Sequence, residues 1–466
     1  MKENVTVIIL AAGQGTRMKS AKAKVLHEAG GDTILNHVIR AALHVALAEK
    51  ITVVVGHQAT EVRQSVTCPG IRFAEQTEQK GTAHAVLCAR EEVASRKGQL
   101  LILNGDGPLL KPHTLEKLLA AAGETHPGGT LVTTITGDPT GYGRIIRDDR
   151  GLIAAIREQK AASASELEIR EINPGVYCFA AQPFWQYLSE VRPDNPAREY
   201  YLTDMVEILR RHGRAVAPFL VEDETELLGI NTRVELAVAD RILRARKAEE
   251  LMLAGVTIEQ PGSVSIDVEV EAGRDTIIEA NVQLRGRTRI GERCRIQAGS
   301  ILRNCEIADD VTIYPYVVAE DSVVRNQATV GPFARLRMQA EAGEDARIGN
   351  FVELKKTNLG ARSKAQHLAY LGDASIGADS NIGAGTITCN YDGERKHRTE
   401  IADGVFVGSN STLVAPMRIE GGAYIAAGSV ITNPVEADSL AIGRAYQVAK
   451  EGWARRRREK SIKADK

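Results

Sequence analysis

Aromatic side chains are scarce in this chain of 466 residues, at 4% Phe, Trp and Tyr. Their scarcity argues against a sandwich built on a large aromatic core. Six cysteines (Cys68, Cys88, Cys178, Cys294, Cys305 and Cys389) lie scattered, with no CxxC pair and no spacing that suggests a zinc site. Inert thiols in a reducing compartment are expected. Charge of one sign is not in excess: 59 Lys and Arg stand against 60 Asp and Glu, so no global field argues for a nucleic-acid partner. Long apolar runs are lacking as well. The run Val5 to Ala12 is far too short to span a bilayer and has no signal-peptide pattern. A soluble, cytoplasmic protein with no membrane partner is expected.

What the chain does have is glycine, 42 of them, and enough length for two to four domains. From about Ile278 to Ile431 aliphatic residues recur every six positions. Ile278, Leu284, Ile290, Ile296 and Leu302 form one run; Val318, Val324, Val330, Leu336, Ala342, Ile348 and Leu354 form a second; Ile401, Val407, Leu413, Ile419, Ile425 and Ile431 form a third. The register slips by one at Ile307, Leu359 and Ile376. A period of six is neither helical nor that of an ordinary strand; it predicts a parallel β-helix of hexapeptide repeats, each short strand sending one aliphatic side chain into a narrow shaft. Three phased runs argue against a β-sandwich with coincidental spacing. The longest interruption, Cys389 to Glu400 (CNYDGERKHRTE), is expected to leave the coil as an external loop, where function tends to reside.

The N-terminal half reads differently. Val5 to Leu10 is an apolar strand of the kind covered on both faces, and it leads into Ala11-Ala12-Gly13-Gln14-Gly15-Thr16-Arg17-Met18. Such a loop can close backbone N–H groups around phosphate, with Arg17 and then Lys24 supplying positive charge. Glycine-rich loops are also often mere tight turns, and lone lysines ordinary surface charges. Helical spacing over Leu35 to Leu47 and Ala83 to Val93 alternates with strands at Ile51 to Val55 and Leu100 to Leu103. That alternation predicts a doubly wound, Rossmann-like α/β sheet with ligands at the carboxyl ends of its strands. Asp106, in Asn104-Gly105-Asp106-Gly107-Pro108, lies at such an end; spacing alone leaves open a Mg²⁺ ligand or a turn-forming aspartate. Between the halves, 232–254 lacks helix breakers and ends before Gly255, which predicts a spacer helix of about 30 Å.

LAAGQGTRM, the KVLH segment, Gln76 with Glu78-Gln79-Lys80-Gly81-Thr82, the Gly-Asp turn and Gly141-Tyr142-Gly143-Arg144 together resemble sugar-phosphate nucleotidylyltransferases. With the hexapeptide region added, the match runs from Val5 to about Trp453. The chain resembles the bacterial bifunctional N-acetylglucosamine-1-phosphate uridylyltransferase/glucosamine-1-phosphate N-acetyltransferase family. That resemblance implies a nucleotidyltransferase domain over 1–231, a linking helix over 232–254, a left-handed β-helix over 255–445 and a basic tail over 446–466. It also implies a homotrimer assembled through the β-helix.

By the same resemblance, Leu10, Ala11, Ala12, Gly13, Gln76, Gly81 and Thr82 would surround the uridine nucleotide, and Lys24 would neutralise its phosphates. Gly143, Glu158 and Asn173 would meet the amino sugar, and Asp106 with Asn231 would hold Mg²⁺. UTP and acetyl-CoA would be the co-substrates. In the second half His367 would be the general base, a role suited to imidazole near neutral pH. Arg337, Lys355, Tyr370 and Lys396 would bind the sugar phosphate, and Asn381 the hexosamine. Ala384, Asn390, Tyr391, Ser409, Ala427 and Arg444 would serve acetyl-CoA and the acetyl transfer.

The chain departs from the family pattern at several points. Ala23 stands where proline is usual, Asn104 and Gly107 where tyrosine and valine are, and Met338-Gln339 where Pro-Gly is; Thr77, Ala83 and Pro174 also differ. Ala23 is expected to remove a fixed φ before Lys24, and Gly107 to loosen the turn that carries Asp106. The strongly basic tail after Glu451 is expected to be solvated and mobile. Two other readings stand beside the bifunctional one: a nucleotidylyltransferase for another sugar with a passive coil, and a non-enzymatic trimerising protein. The His367 segment speaks against the first and the intact LAAGQGTRM against the second.

Overall fold

The computed structural model describes residues 2–93, 95–124 and 127–464. The chain divides into two compact units between Lys247 and Ala248.

In the first unit, Arg72–Glu75, Ile51–Val55, Val5–Leu10 and Gln99–Asn104 lie side by side as parallel strands. Their apolar runs do not alternate because both faces are covered: Val7, Ile8, Ile9, Val53, Val54, Leu101 and Ile102 are all fully buried. This half of the sheet is as expected for a doubly wound α/β protein. Beyond Gln99–Asn104 the sheet turns mixed. Val176–Ala180 inserts antiparallel between Gln99–Asn104 and Gly129–Ile135. Glu171–Asn173, Gly143–Arg147 and Ile153–Arg157 continue in antiparallel fashion, while Val216–Leu220 pairs in parallel with Gly129–Ile135. No alternation announces the change, since Val176–Ala180 is nearly as apolar and buried as its parallel neighbours.

The carboxyl ends of the parallel strands are tied together. Ala11 N donates to Val54 O at 2.9 Å and Gly105 N to Leu10 O at 2.9 Å, so the loops after three adjacent strands share one frame. The helix Ile34–Leu43 opens on Thr33, whose side chain accepts from Asn36 N.

In the second unit three parallel sheets of eleven, ten and nine strands stack coil on coil, consistent with a left-handed β-helix of hexapeptide repeats. Ile278, Ile296, Ile313, Val330, Ile348, Ala365 and Ile382 occupy one column at steps of 18 or 17 residues. The 17-residue coils account for the slips of register. The shaft is filled by these small aliphatic side chains. Buried hydroxyls line its corners and satisfy backbone carbonyls, as where Thr357 Oγ1 donates to Leu371 O at 2.8 Å and Ser363 Oγ to Gly377 O at 2.7 Å. Glycine is needed where coils touch: a Cβ on Gly349 would lie 1.8 Å from the Gln366 carbonyl oxygen.

From Ile382 to Val407 the step is 25 residues, and the excess forms the external loop. Cys389 and Thr399 to Glu400 remain in the strands Ile387–Cys389 and Thr399–Ile401, so the excursion is narrower than expected, covering 390–398.

The helix Arg233–Leu253 is preceded by a capping box, with Glu235 Oε2 accepting from Thr232 N at 2.6 Å and Glu235 N donating to Thr232 Oγ1 at 3.3 Å. Gly255, at φ 101, follows its end. In the tail, Trp453–Ala464 is a helix, exposed over 453–461, with the Arg457 guanidinium 5.3 Å from the Trp453 ring centroid. No helix among the described residues is long and apolar enough to cross a membrane.

At the corner after Arg335–Arg337, Met338 and Gln339 both adopt left-handed backbone, at φ 56 and φ 63. We expect Gln339→Gly to stabilise this unit by about 0.5–1 kcal/mol, because the Cβ strain exceeds the added unfolded-chain entropy. A urea midpoint read by amide exchange in the flanking strands checks this; an unchanged or lowered midpoint contradicts it.

Candidate functional sites

A cleft of about 420 Å³ opens at the carboxyl ends of the parallel strands. Leu10, Ala11, Ala12, Gly13, Lys24, Gln76, Gly81, Thr82, Asp106 and Asn231 all line it, with Arg17, Asn104 and Glu199. Gly81 sits at φ 113 with the Tyr200 backbone against it: an added Cβ would lie 2.5 Å from Tyr200 O. The loop around Gly81 and the 199–202 segment are thereby clasped, with Tyr200 N donating to Lys80 O at 2.8 Å and Ala83 N to Tyr200 O at 2.9 Å.

Charge in the cleft is paired in advance. The Lys24 ammonium forms a short ion pair with Asp106 Oδ2 and reaches Asn231 Oδ1 at 3.2 Å; an Arg17 guanidinium nitrogen donates to the same oxygen at 2.8 Å. Asn231 is placed by the capping box behind it, since Glu235 Oε2 also accepts from Asn231 N at 2.7 Å. Asp106 and Asn231 thus present two hard oxygen donors at one point, a set that suits Mg²⁺ completed by water and phosphate oxygens. No group of three or more His, Cys, Asp or Glu side chains placed to hold a metal ion occurs among the described residues.

Gly143, Glu158 and Asn173 form a neighbouring group rather than part of that lining. Gly143 pairs with Asn173 across two antiparallel strands, and a Cβ on Gly143 would stand 3.7 Å from Glu158 Oε1. Asn173 is buried and donates to the Tyr177 hydroxyl at 2.7 Å. Burial raises the Glu158 pKa against a hydrogen bond from Thr203 Oγ1 at 3.2 Å.

One sequence departure proves milder than expected. Ala23 keeps a proline-like φ of −54, because its N–H donates to Gln58 Oε1 at 2.6 Å, a bond proline cannot make. Gly107 has no left-handed backbone and open space where a Cβ would lie, so nothing in the turn demands glycine. Asn104 Nδ2 donates weakly to Pro174 O at 3.4 Å and fills the space beside Gly175.

In the second unit, His367 closes the strand Lys364–His367 and is exposed. Its Nδ1 lies 2.9 Å from Asn350 Oδ1, one coil below. A carbonyl oxygen only accepts, so Nδ1 is the donor in this bond and Nε2 is left out of it. Sequence reasoning passed over Asn350; the 17-residue step back from His367 is the signal that finds it.

Arg337 and Lys355 are register partners in adjacent coils, and Tyr370 stands in the next, paired to Glu353. Arg337 Nε donates to Glu353 Oε1 at 2.6 Å, and the nearly buried Lys355 ammonium to Asp373 Oδ2 at 2.6 Å. Burial is the largest single influence and works against the Lys355 charge, but the hydrogen bonds and the nearby Asp373 charge together outweigh it and the pKa is raised. Lys396, from the external loop, comes beside Lys355, whose proximity lowers the Lys396 pKa, with Arg337 adding to the effect. Three cations thus gather within one surface. The loop itself is closed: His397 N donates to Asn390 O at 2.8 Å, Asp392 Oδ1 accepts from Glu394 N and Arg395 N, and Tyr391 and Lys396 bridge. Tyr391 is exposed, and Asn390 is buried against Asp373.

Asn381 faces outward between Lys364 and Phe406 in its sheet. Ala384, Ser409 and Ala427 stand two residues beyond the column positions Ile382, Val407 and Ile425, one above another. The exposed Arg444 lies at the end of that column, its Cδ 3.8 Å from where a Gly428 Cβ would be.

A phosphate-ready loop on parallel strands and a hexapeptide coil bearing an oriented histidine define a nucleotidyltransferase joined to an acyltransferase. Residues 7–207 match the model of the MobA-like NTP transferase domain. The chain is 56% identical to the bifunctional protein GlmU of Solibacter usitatus over 98% of both chains. It is 51% identical to that of an Anaeromyxobacter species, over 97% of this chain and 93% of the relative, and 47% identical to that of Koribacter versatilis over 98% of both. The chain belongs to the GlmU family of bifunctional proteins.

Asn350→Ala is expected to lower kcat for acetyl transfer about tenfold to a hundredfold, with KM for acetyl-CoA unchanged, because the imidazole loses its tautomer and direction. Steady-state kinetics check this; an unchanged kcat contradicts it.

Proposed function

We propose that the chain carries out its family's two transfers at two separate sets of side chains. It is a bifunctional transferase of UDP-N-acetylglucosamine synthesis, using acetyl-CoA and glucosamine-1-phosphate in one reaction and UTP and N-acetylglucosamine-1-phosphate in the other. The observation that carries the assignment is the convergence of Arg17, Lys24, Asp106 and Asn231, with positions 17 and 231 more than two hundred residues apart in sequence, on one point of the cleft.

In uridylyl transfer a phosphate oxygen of the sugar attacks the α-phosphorus of UTP, the bond to the β-phosphate oxygen breaks, and pyrophosphate leaves. The protein's part is positioning and charge neutralisation. Leu10 to Gly13, Gln76, Gly81 and Thr82 hold the nucleotide, and Lys24 and Arg17 turn from their present partners to its phosphates. Gly143, Glu158 and Asn173 hold the amino sugar. Asp106 and Asn231 hold Mg²⁺, which when bound supplies further neutralisation of phosphate charge.

In acetyl transfer, Arg337, Lys355, Tyr370 and Lys396 bind the sugar phosphate and Asn381 the hexosamine. His367 Nε2 takes a proton from the 2-ammonium, and the freed amine attacks the thioester carbonyl. The Ala384 N–H donates to the oxyanion; the C–S bond breaks as coenzyme A leaves as thiolate, and the attacking nitrogen gives up its second proton to that sulfur, leaving the neutral amide and free thiol. Asn390 and Tyr391 border the transfer; Ser409, Ala427 and Arg444 hold acetyl-CoA. We assign residues 1–231, 232–254, 255–445 and 446–466 to the uridylyltransferase domain, linker, acetyltransferase domain and tail. The assembly is a cytoplasmic homotrimer joined through flat faces of the coil.

The test is a pair of variants assayed for both reactions. Asp106→Ala should cut pyrophosphate release about a hundredfold or more and leave acetyl transfer intact; His367→Ala should do the reverse. Loss of both activities in either variant, or of neither, would overturn the two-site reading.

A further inference from the structure

Asp373 has no role in the chemistry above, yet it joins several groups that do. It follows the strand Tyr370–Gly372 in left-handed backbone, at φ 50. Its carboxylate oxygen Oδ2 accepts from two donors at once. One is the Lys355 ammonium at 2.6 Å, from the coil on one side; the other is the Asn390 amide, in a short bond from the coil on the other. The strands Glu353–Lys355, Tyr370–Gly372 and Ile387–Cys389 are neighbours in one sheet, so Asp373 is the middle rung between them. Its main chain ties the same coils: Asp373 N donates to Lys355 O at 2.9 Å, and Asp373 O accepts from Thr399 N at 3.2 Å, where the external loop returns.

The surroundings leave little freedom. The Lys355 side chain is 6% exposed and that of Asp373 11%. Asn390 is 8% exposed. A Cβ on Gly372 would lie 2.5 Å from the Tyr370 hydroxyl and 2.9 Å from Asn390 Nδ2, so the phenol and the amide close over the strand beside the ion pair. Lys396 and Arg337 bring two further positive charges near Lys355. Without an anion the buried ammonium would be repelled outward, and the Asn390 amide would lose its acceptor.

We propose that Asp373 is a positioning residue for acetyl transfer, holding the Lys355 ammonium and the Asn390 amide in fixed relation across three coils. The sugar phosphate is thereby seated at one distance from the His367 base. The inference rests on the assignment of Lys355 and Asn390 to the acetyltransferase site. Asp373 itself touches no reacting atom; it acts through its two donors.

The experiment is acetyl-transfer kinetics of the full chain with Asp373→Asn, Asp373→Glu, Lys355→Met and the Asp373→Asn/Lys355→Met pair, beside thermal melting. Asp373→Asn is expected to raise KM for glucosamine-1-phosphate at least about tenfold, with KM for acetyl-CoA within about twofold. Asp373→Glu should recover part of that loss, and the double variant should bind the sugar phosphate no worse than Lys355→Met alone. Should Asp373→Asn melt below the assay temperature, Asp373→Glu carries the same split: KM for the sugar phosphate must rise while that for acetyl-CoA holds. A sugar-phosphate KM within about twofold of the parent in these variants overturns the proposal, as does an equal rise in both KM values. If the parent chain transfers no acetyl group, or His367→Ala is fully active, the site assignment itself has failed.

Discussion

The parallel ladder of the second unit is the constraint on which its chemistry depends. Backbone hydrogen bonds between coils force every seventeenth or eighteenth residue into one column. Any side chain then has a defined neighbour above and below. His367 finds Asn350, Lys355 stands over Arg337, and Asp373 lies between Lys355 and Asn390. A loop inserted between strands does not disturb this. The 25-residue step from Ile382 to Val407 places Asn390 and Lys396 outside the shaft while the aliphatic column closes without a gap. Precision in the site is a consequence of the scaffold's repeat, which leaves few rotamers open to its flanking side chains.

Electrostatics follow one pattern in both units. Each gathers cations suited to phosphate, and each holds them against carboxylates: Lys24 against Asp106, Lys355 against Asp373, Arg337 against Glu353. Unpaired, such cations would repel one another or seek water. Paired, they are held in place in partly desolvated surroundings. In the proposed mechanism a phosphate would share or replace an anion already present, so less order would have to be created on binding.

Periodicity makes the coil legible almost residue by residue, since a six-residue repeat has one structural solution and Ile307, Leu359 and Ile376 mark the 17-residue coils. The first sheet is legible only in its parallel half. Val176–Ala180 is apolar throughout and buried on both faces, so nothing in its composition distinguishes an antiparallel insertion. Site residues divide in the same way. Spacing alone leaves Asp106 between metal ligand and turn former, and the family resemblance, not the local pattern, singles it out. Asn350 and Asp373 escape both routes, although each sits one coil from a residue already under suspicion. Ala23 shows the limit of reading a substitution by residue type: the lost proline ring is replaced by a hydrogen bond to Gln58 that no local pattern reveals.

The most direct test of two separate transfers in sequence is a time course by phosphorus NMR. The parent chain is given glucosamine-1-phosphate, acetyl-CoA and UTP with Mg²⁺. The account predicts that N-acetylglucosamine-1-phosphate appears first and is consumed as UDP-N-acetylglucosamine and pyrophosphate accumulate together. Early accumulation of UDP-glucosamine, or nucleotide transfer with no acetylated intermediate, would contradict it.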